Sequence, residues 1–184
     1  MALDDSLLTS TGQGVNPFEA TLDQWNNETI KLLQKSLDEK ASTGTSQALR
    51  QSIEPQAIKT TDNGLSVEIV MEDYYKYIDQ GVQGVGGEKK GGGIFEQVAP
   101  NSPFSYKEGN KPSAEHFKQW ALTKNLNPFA VRESVFRKGI TPNHFYSDVM
   151  TEQWIDVLVD RLEKVGAGTV EILIVNSIEN GNNN

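Results

Sequence analysis

Asp62-Asn63-Gly64-Leu65-Ser66-Val67-Glu68-Ile69-Val70-Met71 reads as a tight turn followed by an alternating strand. Asn-Gly favours the positive backbone angles of a two-residue hairpin turn, and the alternation sets Leu65, Val67, Ile69 and Met71 on one face with Ser66 and Glu68 on the other. The partner strand is Gln56 to Thr61, just after Pro55 interrupts the short segment Ala48-Leu49-Arg50-Gln51-Ser52-Ile53. A two-stranded ribbon with one apolar face needs a cover.

The chain before the hairpin offers one. Asn16-Pro17-Phe18-Glu19 is a helix start, with Asn16 as N-cap, proline at the first position and Glu19 placed for a capping box. Phe18, Leu22, Trp25, Ile30, Leu32, Leu33 and Leu37 then fall within about half of the helical wheel. The helix is predicted to end near Ala41-Ser42-Thr43-Gly44.

Beyond the hairpin, Tyr74, Tyr77 and Ile78 recur at i, i+3, i+4, which predicts a short helix with those three on the core and Asp73, Lys76 and Asp79 toward water. From Gly81 to Gly93 there are seven glycines and few large side chains, so this segment is expected to stay mobile, within a long loop over 81–103. Ser113 caps a helix carrying Phe117, Trp120 and Ala121. Asn127-Pro128-Phe129 starts another with Val131, Val135 and Phe136, stopped by Gly139. A last long helix follows Thr141-Pro142-Asn143-His144, with Met150, Trp154, Val157, Leu158, Leu162 and Val165 as its stripe. Phe145 and Val149 lie off that stripe and are candidate interface residues, together with Leu3, Leu7 and Leu8.

Thr169 to Val175 is a nearly continuous apolar strand, expected to join the hairpin in one sheet. The fold class is therefore α+β, a small, mostly antiparallel sheet on long amphipathic helices. Residues 16–175 form one domain, 1–15 a polar arm and 176–184 a disordered tail.

Composition narrows the chemistry. The 184 residues hold 25 acidic and 17 basic side chains, a net charge of −8, which weighs against a protein that grips nucleic acid by charge. With no cysteine, thiolate catalysis and zinc-thiolate or iron-sulfur sites are excluded. No stretch approaches the roughly 20 apolar residues of a membrane span, and no signal-like start is present. His116 and His144 lack metal-ligand spacing, so neither metal nor cofactor is expected. Gly84-Val85-Gly86 begins like a phosphate-binding fingerprint, and Lys89 and Lys90 have the right charge. Lys89 stands where glycine is required, and no G-K-[ST] follows.

Two charge patterns remain. Glu152, Asp156, Asp160 and Glu163 recur along the last helix as a solvated face. From Lys107 to Lys138 seven basic residues face three acidic ones, a local excess of four that allows a nucleic-acid-binding module as an alternative.

The order of features resembles the tail-completion and head-tail joining (neck) proteins of tailed double-stranded DNA bacteriophages. The residues that carry the resemblance are Leu49-Arg50-x-Ser52-Ile53, Tyr74-x-x-Tyr77-x-x-x-Gly81 running into a glycine loop, and Pro142-x-x-Phe145 before the terminal helix. The two helices between Lys111 and Gly139 are longer than the usual connection, so neck component, tail terminator and tail-completion protein all stay open. The resemblance implies a non-enzymatic virion protein, assembled in the host cytoplasm, without a membrane. It implies a homo-oligomeric ring of six or twelve copies that meets portal, adaptor or tail-tube proteins and lets packaged DNA pass without binding it specifically. Gly84, Gly86, Gly87, Lys89, Lys90, Gly91, Gly92 and Gly93 would then form an intersubunit or lumen loop.

Overall fold

The computed structural model describes residues 16–40, 45–61 and 64–166. Leu3, Leu7 and Leu8, the hairpin tip Asp62-Asn63 and the expected strand Thr169–Val175 lie outside the described residues, as do both expected termini. Helices make up about half of what is described, beside short antiparallel strand pairs, an α+β fold.

Helix α1 (Pro17–Lys40) is the axis. Asn16 caps it, its Oδ1 accepting from Phe18 N at 3.1 Å, one of the donors a helix start leaves unpaired. Two core clusters share its length. At one end Leu22 and Trp25 pack with Leu158 and Leu162 of α6 (Glu152–Lys164). At the other Ile30, Leu33 and Leu37 pack with Phe145 and with Leu49 and Ile53, the latter two at the end of α2 (Thr45–Ser52). Met150 touches both clusters.

The α1–α6 seam also carries a polar stitch. The Trp25 and Trp154 rings stack at 6.0 Å, Trp154 Nε1 donates to Thr29 Oγ1 at 2.8 Å, and Trp25 Nε1 donates to the Trp154 carbonyl at 3.2 Å. Each indole thus buries its ring without orphaning its N–H. Arg161 and Glu28 add an ion pair at 2.8 Å across the same seam.

The predicted hairpin forms as two pairings, β1 (Glu54–Pro55) with β4 (Ile69–Val70) and β2 (Lys59–Thr61) with β3 (Gly64–Ser66). Between them Gln56, Ala57 and Ile58 stand opposite Val67 and Glu68, one residue too many on the first strand. This is a bulge, and Gln56 N still donates to Glu68 O at 2.9 Å. Leu65 and Val67 reach the first cluster while Ile69 and Met71 reach the second, so the apolar face covers α1 as its alternation requires.

The last helix departs from expectation. Its N-cap is Thr151, whose Oγ1 accepts from Trp154 N at 3.3 Å. Residues 141–150 form turns, with His144 at φ 55° and Asn143 Oδ1 accepting from Phe145 N. Ten residues are therefore not helical, and the wheel that placed Phe145 and Val149 off the stripe does not apply. Phe145 is fully buried, and Val149 packs against the same cluster. Phe145 therefore has no exposed surface to offer a neighbour, whereas Val149 is only partly buried.

Candidate functional site

The glycine segment departs from α3 (Tyr75–Gln80), and α3 is held differently than its spacing predicts. Tyr74, Tyr75 and Ile78 face the core, whereas Tyr77 is 37 % exposed and meets Phe104 edge-on at 4.7 Å. Asp79, expected in water, is 1 % exposed. Its carboxylate accepts from Tyr146 N at 2.8 Å, Ser147 N at 3.0 Å and Ser147 Oγ, while the Ile78 and Asp79 carbonyls accept from Asn143 N and His144 N. A buried carboxylate is stable when such donors replace its water. Asp79 thereby ties the tyrosine segment to the turn that carries Phe145.

The Leu49–Ile53 step joins the same place. Ser52 Oγ donates to Leu49 O and accepts from Glu72 N at 3.0 Å, which fixes where the tyrosine segment begins. Leu49–Ile53, Tyr74–Gly81 and Pro142–Phe145, far apart in the chain, thus converge on one core cluster through Leu49, Ile53, Tyr74, Tyr75, Ile78 and Phe145.

From this anchor the loop runs outward, and its first half is not loose. β5 (Val82–Gln83) pairs antiparallel with β6 (Gly139–Ile140), which follows α5 (Pro128–Lys138). Gln83 also takes an N–H···O bond to Phe104 O and accepts one from Tyr106 N. Val85 N donates to Phe136 O and Gly86 N to Arg137 O, so the backbone follows the end of α5. Mobility was expected because glycine offers little to pack. Here the lack of a Cβ is what lets the backbone come close enough to bond. A methyl on Gly84 would overlap the Arg137 carbonyl oxygen and stand 2.5 Å from the Lys138 carbonyl carbon.

Beyond Gly87 the segment turns back as a small hairpin. Glu88 bridges Ile94, Lys89 N donates to Gly93 O at 2.9 Å, and Gly91, Gly92 and Gly93 all have positive φ with open space around them. Lys89 and Lys90 are exposed on this spur, Lys89 lying 5.8 Å from the Phe95 ring centroid. The candidate loop residues therefore divide into Gly84, Gly86 and Gly87, held against α5, and Lys89 to Gly93, projecting from it.

Side chains secure the base. Arg137 donates to Gly86 O at 3.2 Å and to Glu133 at 3.1 Å, and Lys111 pairs with the same Glu133. Lys111 lies 5.1 Å from the Phe136 ring centroid, and Phe136 meets Tyr106 at 5.8 Å. Three of the seven basic residues over Lys107–Lys138 are thus engaged within the chain, Lys118 pairing with Glu115 as well. Hydrogen bonds from Lys111 and then Arg137 hold the Glu133 carboxyl below its ordinary 4.5. A folded value below the unfolded one means the contact's full contribution at neutral pH, lost as the pH falls through the folded value. The groups are partly exposed, so the contribution is under about 1 kcal/mol. Amide exchange at Gly86 is expected to quicken relative to its intrinsic rate on acidification below 4.5, and Glu133→Gln to abolish that dependence.

Gly84→Ala is expected to cost about 2 kcal/mol, because the clash is with backbone, and to expose the Val85 and Gly86 amides to exchange. Gly92→Ala, which meets nothing, should leave those two amides as protected as before. Equal exchange in both variants would contradict the docking described.

Surface clefts among the described residues include two away from the core. One, between α1 and α2, is lined by Lys31, Gln34, Lys35, Asp38, Glu39 and Arg50; the other, beside the glycine spur, by Lys89, Glu96, Gln97, Val98, Lys138 and Thr141. Neither includes His116 or His144. No described helix is long and apolar enough to cross a membrane. Compared with protein-family models, curated proteins and solved structures, the chain matches none.

Proposed function

We propose that this chain is a structural component of a tailed-bacteriophage neck or tail, forming a ring that joins the head to the tail and lets DNA pass. The observation that carries the reading is the convergence of Leu49–Ile53, Tyr74–Gly81 and Pro142–Phe145 on one cluster. Three short motifs that are each common by chance behave as a single structural unit, and that unit is the base from which the glycine spur projects. A rigid base with a narrow backbone spur suits a joint between subunits, since glycines at positive φ let a thin hairpin enter a crowded contact.

Net acidity also fits a channel through which DNA must slide, because few cations are offered to its phosphates. Removing Lys89 to Gly93 and closing Glu88 onto Ile94 tests the role of the spur. The variant is expected to fold with unchanged thermal stability and to leave DNA-filled heads without attached tails. Infectious particles at normal yield would count against an assembly role for this loop.

A further inference from the structure

The region between Glu115 and Glu133 contains no acidic residue, and Lys118, Lys124 and Arg132 fall within it. Its helices are α4 (Lys118–Thr123) and the start of α5, joined by a tight corner in which Leu126 N donates to Ala121 O at 2.8 Å and Asn125 adopts φ 53°. Ala121 is buried inside the corner, and three large apolar residues point away from it. Leu122 is 65 % exposed, Leu126 47 % and Phe129 63 %. Soluble surfaces seldom place three such residues within eight positions of chain unless something covers them. The Arg132 guanidinium carbon lies 5.4 Å from the Phe129 ring centroid, so positive charge sits beside the apolar knob. Neither Lys124 nor Arg132 has an acidic partner among the described residues.

The opposite charge is found elsewhere on the same chain. Glu152, Asp156, Asp160 and Glu163 are exposed along α6, spaced so that they share one face, and none forms an ion pair among the described residues. Arg161, the cation within that run, is engaged by Glu28. α6 packs on α1, whereas α4 and α5 pack on each other, so the knob and the acidic row belong to different parts of the fold.

We infer that the α4–α5 corner of one copy docks on the α6 face of the next, Leu122, Leu126 and Phe129 supplying the dry centre and Lys124 and Arg132 the charges that meet Asp156 and Asp160. The occupant is a second copy because the chain itself carries the complementary row. A knob with three exposed apolar side chains and few cations suits protein better than the evenly charged backbone of DNA. Knob and row are different surfaces, so the contact is head-to-tail. It propagates, and it closes into a ring where the rotation per subunit allows. The contact deepens the ring reading above and rests on it for its biological setting, though not for its chemistry.

The absence of cysteine makes a direct test clean. The full chain carrying Leu126→Cys and Asp160→Cys together is oxidised at high protein concentration and run under denaturing, non-reducing conditions. The expected result is a ladder of covalent dimers, trimers and larger species that collapses several-fold at high salt or with Lys124→Glu and recovers when Asp156→Lys is added. Each single-cysteine variant should stop at dimers. A double variant that gives no more than the two singles combined overturns the contact. So does binding of the chain to duplex DNA at low salt that Lys124→Glu and Phe129→Ser abolish, since the knob would then serve nucleic acid. A missing ladder with the protein still found at the head–tail junction removes this contact alone. A ladder without such placement removes the neck assignment and leaves the contact.

Discussion

Asp79→Ala is expected to lower the stability of the purified chain by roughly 3–4 kcal/mol, because it leaves the Tyr146 and Ser147 amides without acceptors at about 1–3 kcal/mol each and removes a charge-assisted bond to Ser147 Oγ. At about 2–4 °C per kcal/mol for a chain of this length, the melting temperature should fall by about 10 °C. Asp79→Asn keeps an oxygen for the two amides and offers its amide nitrogen to the Ser147 oxygen, so about half the loss is expected. Urea denaturation of the three proteins measures this directly. If alanine and asparagine behave alike and cost little, the turn over residues 143–148 is held by something other than this carboxylate.

Phe145→Ala is the second large effect, at about 3–5 kcal/mol, the usual cost of emptying an aromatic site in a closed core. Phe145 has no exposed surface and packs among Ile30, Leu33, Leu37, Leu49 and Ile53, which come from α1, α2 and the residue just after α2 and cannot all move in to fill the space. Phe145→Leu keeps most of the volume and should cost less than about 1.5 kcal/mol. The same substitutions separate the buried role from the interface role that the sequence pattern suggests. A residue kept for a neighbouring subunit would leave the isolated chain's unfolding midpoint unchanged when cut to alanine.

These two residues mark where sequence reasoning stopped short. Asn16-Pro17 and Asn127-Pro128 announce their helices because an Asn cap and a proline at the first position satisfy the helix start locally, and the structure shows both caps. The alternation from Leu65 to Met71 locates the apolar face for the same local reason. Asp79 and Phe145 are decided by contacts across more than 60 residues. A charged residue on a short helix defaults to solvent unless its donors are known, and two of the three donors to Asp79 are backbone amides that carry no side-chain signature. Asn143, at the start of a non-helical turn, was the available warning that the last helix had not yet begun.

The glycine segment failed in another way. Its composition reads as an entropy cost, while the close approach it permits depends on where β6 lies, and Gly139 serves both as the stop of α5 and as the first residue of that strand. The bulge in the hairpin was equally hidden, since the alternation on the return strand is unbroken and the extra residue lies on the irregular partner.

In the proposed role the chain sits in a ring where head meets tail. Electron microscopy of purified virus particles carrying a small label fused after Asn184 tests it most directly. Label is expected only at the head–tail junction, in several copies around the axis. Label spread over the head shell or along the tail, or particles that contain none of the protein, would contradict it.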